Sequence, residues 1–155
     1  MRVLVGLLAV AGIVVSVLAL RVHNQDSNAA PPCAVTEKFD CGAVNHSRFA
    51  VFPPRKFDEN VKSGKVHVPV AVLGLIGYGL MVAFALAGRM WVVLGLAQIG
   101  FFFATMLTYL EAYVLEKWCI YCLWSQGIVA TILLLTAGTV AVRWWRGRGV
   151  RAVVG

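Results

Sequence analysis

The stretch CIYCLWSQGIVATILLLTAGTVAV, residues 119–142, decides how this chain is built. It carries no charged side chain, it is long enough as a helix to cross a bilayer, and it opens on a Cys-x-x-Cys pair. A hydrocarbon layer of about 30 Å takes roughly 20 mostly apolar residues at about 1.5 Å each. Runs of the same kind occupy 3–20, 68–87 and 90–109, again without a charge. They are too long and too uniformly apolar for barrel strands, and in lipid a helix satisfies its own backbone. The expected fold is all-α and integral to the membrane, a four-helix transmembrane bundle. Its helices cover about 3–22, 68–88, 90–114 and 119–143, an extracytoplasmic capping loop covers about 23–67, and residues 1–155 form a single membrane domain.

Composition agrees. Of the 155 residues 60% are hydrophobic and only 14% charged, with a mean hydropathy of +0.80. A soluble domain of this size has too little interior to hide so much apolar surface. The first run admits two readings. It is a retained helix, longer than the roughly 7–15 apolar residues of a secretory signal, or a signal peptide with Arg2 as its basic start and cleavage near Ala29 and Ala30. Either way the following segment lies outside.

Charge sets the orientation. Arg2, Arg89, Arg143, Arg146, Arg148 and Arg151 fall on the segments assigned to the inside, which hold no carboxylate. Asp26, Glu37, Asp40, Asp58, Glu59, Glu111 and Glu116 lie in or beside the outer segments. Basic density next to span ends marks the cytoplasmic side, so both termini are expected inside a multi-pass protein of the plasma (inner) membrane. The net charge of +7 is then a topology signal with affinity for anionic lipid. The C-terminal arginines directly follow a span, so they are not read as a nucleic-acid site. The outer loop contains Pro31, Pro32, Pro53 and Pro54, with a short interfacial helix expected around Ala43–Phe52. Loops this long are more often functional than mere connectors.

All four cysteines fall on one side. Cys33 and Cys41 are in the outer loop; Cys119 and Cys122 open the last helix, two crossings later. At i and i+3 the latter pair shares a helix face. The helix N-terminus, with its free N–H groups and dipole, favours a thiolate, the reacting form in disulfide exchange. Redox exchange is the leading reading. Structural zinc, inert disulfides in an oxidising compartment and plain apolar filling are its alternatives.

Other polar residues are read more plainly. Gly74, Gly77 and Gly79 around Tyr78 suit a close helix–helix contact. Trp118, Tyr121 and Trp124 suit an aromatic belt or stacking on a bound ring. Glu111, just past the third span, is expected as a solvated interfacial carboxylate, with a proton relay as the alternative. Gln98 is expected to bond another helix, His46 to be solvated, and His23 and His67 to be incidental.

Taken in order along the chain, these residues resemble the vitamin K epoxide reductase family. The features are Cys33 and Cys41, Ser47 after them, the 69–75 stretch PVAVLGL opening the second helix, and Trp118-Cys119-Ile120-Tyr121-Cys122 opening the fourth. The resemblance implies a four-helix bundle around a quinone, ubiquinone or menaquinone, with no metal. It implies that Cys33 forms a mixed disulfide with a partner, that Cys41 relays to Cys119, and that Cys122 faces the quinone. Ser47, Tyr78, Trp118, Tyr121 and Gln126 become candidate quinone-binding residues. Members acting on vitamin K epoxide often carry a tyrosine where this chain has Gln126, and the loop after Ser47 also differs from the animal pattern. The expected function is therefore thiol oxidation, in which a separate thioredoxin-fold dithiol protein is re-oxidised outside the cytoplasm. The alternatives are a vitamin K epoxide or quinone reductase, and a non-enzymatic scaffold with structural disulfides or zinc.

Overall fold

The computed structural model describes residues 1–25, 36, 38–54 and 67–154, and only the backbone of 146–154. Apolar helix-forming runs give four long helices: α1 (Arg2–Asn24), α3 (Val70–Leu86), α4 (Met90–Leu110) and α5 (Ile120–Val154). A short α2 (Cys41–Asn45) and a two-stranded ribbon, β1 (Val51–Phe52) and β2 (Val68–Pro69), lie between α1 and α3. Three helical segments are long and apolar enough to cross a membrane: Arg2–Asn24, Met90–Leu115 and Ile120–Trp145. The apolar Val70–Leu86 is shorter. Large side chains such as Leu7, Ile99, Phe102 and Leu134 point outward and are mostly exposed. With helices this apolar, that outward face is one solvated by lipid. The chain is an all-α membrane protein apart from the small ribbon.

The helices pack in a ring, with α1 and α4 each against both α3 and α5. Val5, Ala9, Tyr78, Met81, Ala85, Val93, Ala97, Val129 and Ile132 form the buried centre. Small residues set the helix spacing. A Cβ on Gly12 would lie 2.5 Å from the ring of Tyr78, and one on Gly74 would lie 2.8 Å from Ser16 Oγ. Of the glycines around Tyr78, Gly74 therefore makes the close approach. Gly77 and Gly79 have nothing within 4 Å.

The turns are local and specific. Gly88, at φ +74°, ends α3 in the left-handed region, where glycine carries no Cβ penalty. The N–H of Arg89 then donates back to Phe84 O at 2.9 Å. At the other end α4 runs into a π-helical turn (Glu111–Leu115), and Glu116 at φ +49° reverses the chain toward α5.

Several expectations need correction. The helix expected at 43–52 is instead α2 over Cys41–Asn45, because the Asp40 side chain caps it by accepting from Ala43 N at 3.0 Å. Residues 51–52 pair as a strand with 68–69. Val68 and Pro69 are taken up by that ribbon, so the next helix starts at Val70, whose N–H donates to Ala50 O at 2.8 Å. The last helix continues to Val154 rather than stopping near 143. Cys33 and most of the outer loop lie outside the described residues.

Replacing Gly12 by Ala forces a methyl into a ring held by its own hydrogen bond, and overpacking of this kind costs about 1–3 kcal/mol. Thermal unfolding in detergent should show a lowered midpoint for Gly12→Ala and none for Gly77→Ala, where the added methyl meets open space.

Candidate functional site

Two segments far apart in sequence meet at one end of the bundle. The residues before Cys41 and before Cys119 pair as a short parallel bridge, Phe39 with Trp118. Trp118 N donates to Lys38 O at 2.8 Å, and Asp40 N donates to Trp118 O at 3.1 Å. The bridge sits two residues ahead of Cys41 and one ahead of Cys119, so it delivers both into one place. Cys41 and Cys119 are fully buried in a cluster with Val22 and Val44, and Leu115, Ile120, Tyr121 and Cys122 pack against it.

Asn45 ties the two cysteine segments together. Its Nδ2 donates to Cys41 O at 2.9 Å and lies 3.6 Å from Cys119 Sγ. The Asn45 carbonyl in turn contacts His23 Nδ1 at 2.6 Å. His46 reaches Gly42 O and Gln25 O with its two ring nitrogens and stacks on His23, with centroids 6.2 Å apart. Neither histidine is incidental to the architecture: together they pin α2 to the end of α1. Sequence reading had no signal for this, because ring-to-carbonyl contacts have no spacing rule.

The cysteines differ in state. Cys41 is disulfide-bonded, whereas Cys119 and Cys122 are free thiols. Cys119 sits one residue ahead of the first helical residue of α5, and hydrogen bonding from the Cys122 thiol holds its pKa below the ordinary thiol range despite burial. A cysteine held in a disulfide offers no thiolate to a metal. Among the described residues no cluster of three His, Cys, Asp or Glu side chains could hold one.

Glu111 departs most from expectation. It is 2% exposed, not solvated. The π-helical turn carries it under α5, where Oε2 accepts the N–H of Cys119 at 3.0 Å. Among the described residues, Glu111 Oε1 and Ser47 Oγ are the buried side-chain atoms without a hydrogen-bond partner.

The remaining candidates fall at different depths. Trp118 is half-buried in the bridge, Tyr121 packs against the cysteine cluster, and Trp124 is 64% exposed. One turn further along α5, Tyr78 Oη donates to Ser125 O at 2.9 Å and also contacts Ser125 Oγ. Gln126 Oε1 accepts from Thr108 Oγ1. Tyr78 and Gln126 thus link helices beneath Cys122, on the face of α5 that continues through Val129 and Ile132.

The model of the vitamin K epoxide reductase family matches residues 3–137, most of the chain. The chain belongs to that family. No individual curated protein matches it. Vitamin K epoxide reductase family members are membrane oxidoreductases linked to quinones, which accords with free thiols placed at the end of an apolar bundle.

Asn45→Ala removes a bond between the two cysteine segments worth about 1 kcal/mol. In a Cys122→Ala background, N-ethylmaleimide should then label Cys119 about fivefold faster, as followed by mass spectrometry. An unchanged rate would show that Asn45 does not help to close the site.

Proposed function

We propose that this chain is a quinone-dependent thiol oxidase. It re-oxidises a separate thioredoxin-fold dithiol protein outside the cytoplasm and passes the electron pair to ubiquinone or menaquinone. The observation that carries the reading is the burial of Cys41 and Cys119 in one cluster, with the Cys119–Cys122 dithiol at the mouth of the bundle. A loop cysteine so placed can exchange with the helix pair without moving the bundle, while the aqueous thiol attacks its disulfide partner.

The exchange runs in balanced steps. The partner's dithiol attacks the loop disulfide, with Cys33 proposed as the atom attacked and Cys41 as the relay. Two electrons then move to Cys119 and Cys122, leaving the loop oxidised and the helix pair reduced. Closure of the Cys119–Cys122 disulfide delivers two electrons and two protons to the quinone. A disulfide at Cys41 beside a reduced α5 pair is the arrangement between the last two steps.

The residues fit such an acceptor. When bound, a quinone supplies an apolar two-electron sink with carbonyl oxygens that accept hydrogen bonds. Ser47 Oγ is a buried donor with no partner of its own. We assign it to a carbonyl, with Trp118 and Tyr121 flanking the ring and Tyr78 and Gln126 forming the floor. Because its hydroxyl is engaged by Ser125, Tyr78 positions the floor rather than donating upward.

The four helices are proposed to cross the membrane with both termini cytoplasmic and the cysteines on the extracytoplasmic side, the outer loop capping the site. The fit of α1 against Tyr78 and Gly74 supports α1 as a lasting part of the bundle. Purified protein supplied with a reduced thioredoxin-fold substrate and a short-chain quinone should oxidise the substrate. Turnover should fall below detection in Cys119→Ala and in Cys122→Ala, with the thermal midpoint retained. Cys41→Ser, which leaves no loop disulfide for the substrate to attack, should lose turnover as well. Full turnover in Cys119→Ala would refute the assignment.

A further inference from the structure

Glu111 has no part in the electron route just described, yet among the described residues it is the buried carboxyl group, and it bonds the Cys119 amide. A carboxyl inside an apolar bundle is costly unless paired. Here only one oxygen is satisfied, by the Cys119 amide at 3.0 Å, and Oε1 is left without a partner. A purely structural cap for α5 would need a single acceptor, which an amide supplies without ionising. Among the described residues, the Cys122 thiol and the Cys119 amide act on this carboxyl, and its charge acts in turn on both thiols. Among the described residues, His23 is engaged with Asn45 O, Asp40 with Ala43 N, and His46 with Gly42 O and Gln25 O. Cys41 is held in a disulfide.

We propose that Glu111 is the acid–base group of the α5 dithiol, taking a proton from the Cys119–Cys122 pair as its disulfide closes and releasing it toward the electron acceptor. Closing the pair breaks two S–H bonds, forms one S–S bond, and releases two electrons and two protons. On the proposed function, on which this destination rests, the quinone takes up all four in becoming a quinol. Glu111 carries one of the protons and the second thiol supplies the other. The buried site needs such a group because no bulk water reaches Cys119, which is fully buried. The π-helical turn is the local device that brings the carboxylate beneath the helix start, and such turns recur at functional sites.

The test needs no quinone. In full-length protein with Cys33 and Cys41 replaced by Ser, the α5 pair is the only dithiol, and diamide oxidises it while itself becoming the hydrazine. Closure is followed by mass spectrometry from acid to alkaline pH. Glu111→Gln retains an oxygen for the Cys119 amide but cannot take the proton. It should slow closure about a hundredfold near neutrality, the size of a lost general base, and move the rise in rate to alkaline pH. Glu111→Asp withdraws the carboxylate by one methylene and should close about tenfold or more slowly, with the neutral inflection kept. A Glu111→Gln profile that superimposes on the parent, or a faster closure, overturns the proposal. Where Glu111→Gln does not fold, parental rates in Glu111→Asp overturn it. Failure of the quinone reading is seen separately, as absent quinone-dependent turnover in the parent chain with its diamide profile intact.

Discussion

The site depends on the backbone pairing of Phe39 with Trp118, two hydrogen bonds that hold the loop to the start of the last helix. Phe39 lies two residues ahead of Cys41, and Trp118 directly precedes Cys119. Backbone bonds fix register without regard to side chain, so the approach of Cys41 and Cys119 is set by geometry that ordinary side-chain variation does not disturb. The cysteine cluster then excludes water from the junction, with Cys41 and Cys119 fully buried. Thiol–disulfide exchange needs attacking and leaving sulfurs in a common, shielded space, and the bridge provides it.

Beneath that junction the bundle is apolar, and its few polar side chains are used sparingly. Thr136 returns its hydroxyl to Ile132 O at 2.7 Å, and Tyr78 closes on Ser125. These bonds keep polar atoms satisfied where no water can serve. They also make the inward face of α5 continuous from the Cys-x-x-Cys pair toward the opposite end of the bundle, with Gly12 and Gly74 letting α1 and α3 close in. Against this background, the two buried side-chain atoms without a partner among the described residues, Ser47 Oγ and Glu111 Oε1, lie outside the apolar core cluster.

Much of this was legible from residue order. Uncharged runs of span length announced a membrane bundle because hydrocarbon tolerates little else, and the Cys-x-x-Cys run announced a thiol pair where the last helix begins. Less was legible where contacts join segments with no shared period. His23 and His46 gave no spacing that would place them around α2. Val68 and Pro69 looked like the first turn of a helix until the ribbon with Val51 and Phe52 claimed them. Glu111 looked solvated because its neighbours in sequence end an apolar run. The change from α to π winding, which turns that side chain inward, leaves no mark in hydropathy.

By itself the sequence determined the solvent, the helical class and the family of this protein, since apolar length and motif order are properties of the chain read along its axis. Only the tertiary structure decided which atoms meet. The encounter of Cys41 with Cys119, the clamp of Asn45 between them and the burial of Glu111 under α5 all arise from long-range packing. Such packing depends on how helix ends and loop backbone close in three dimensions, and no local pattern of residues encodes that closure.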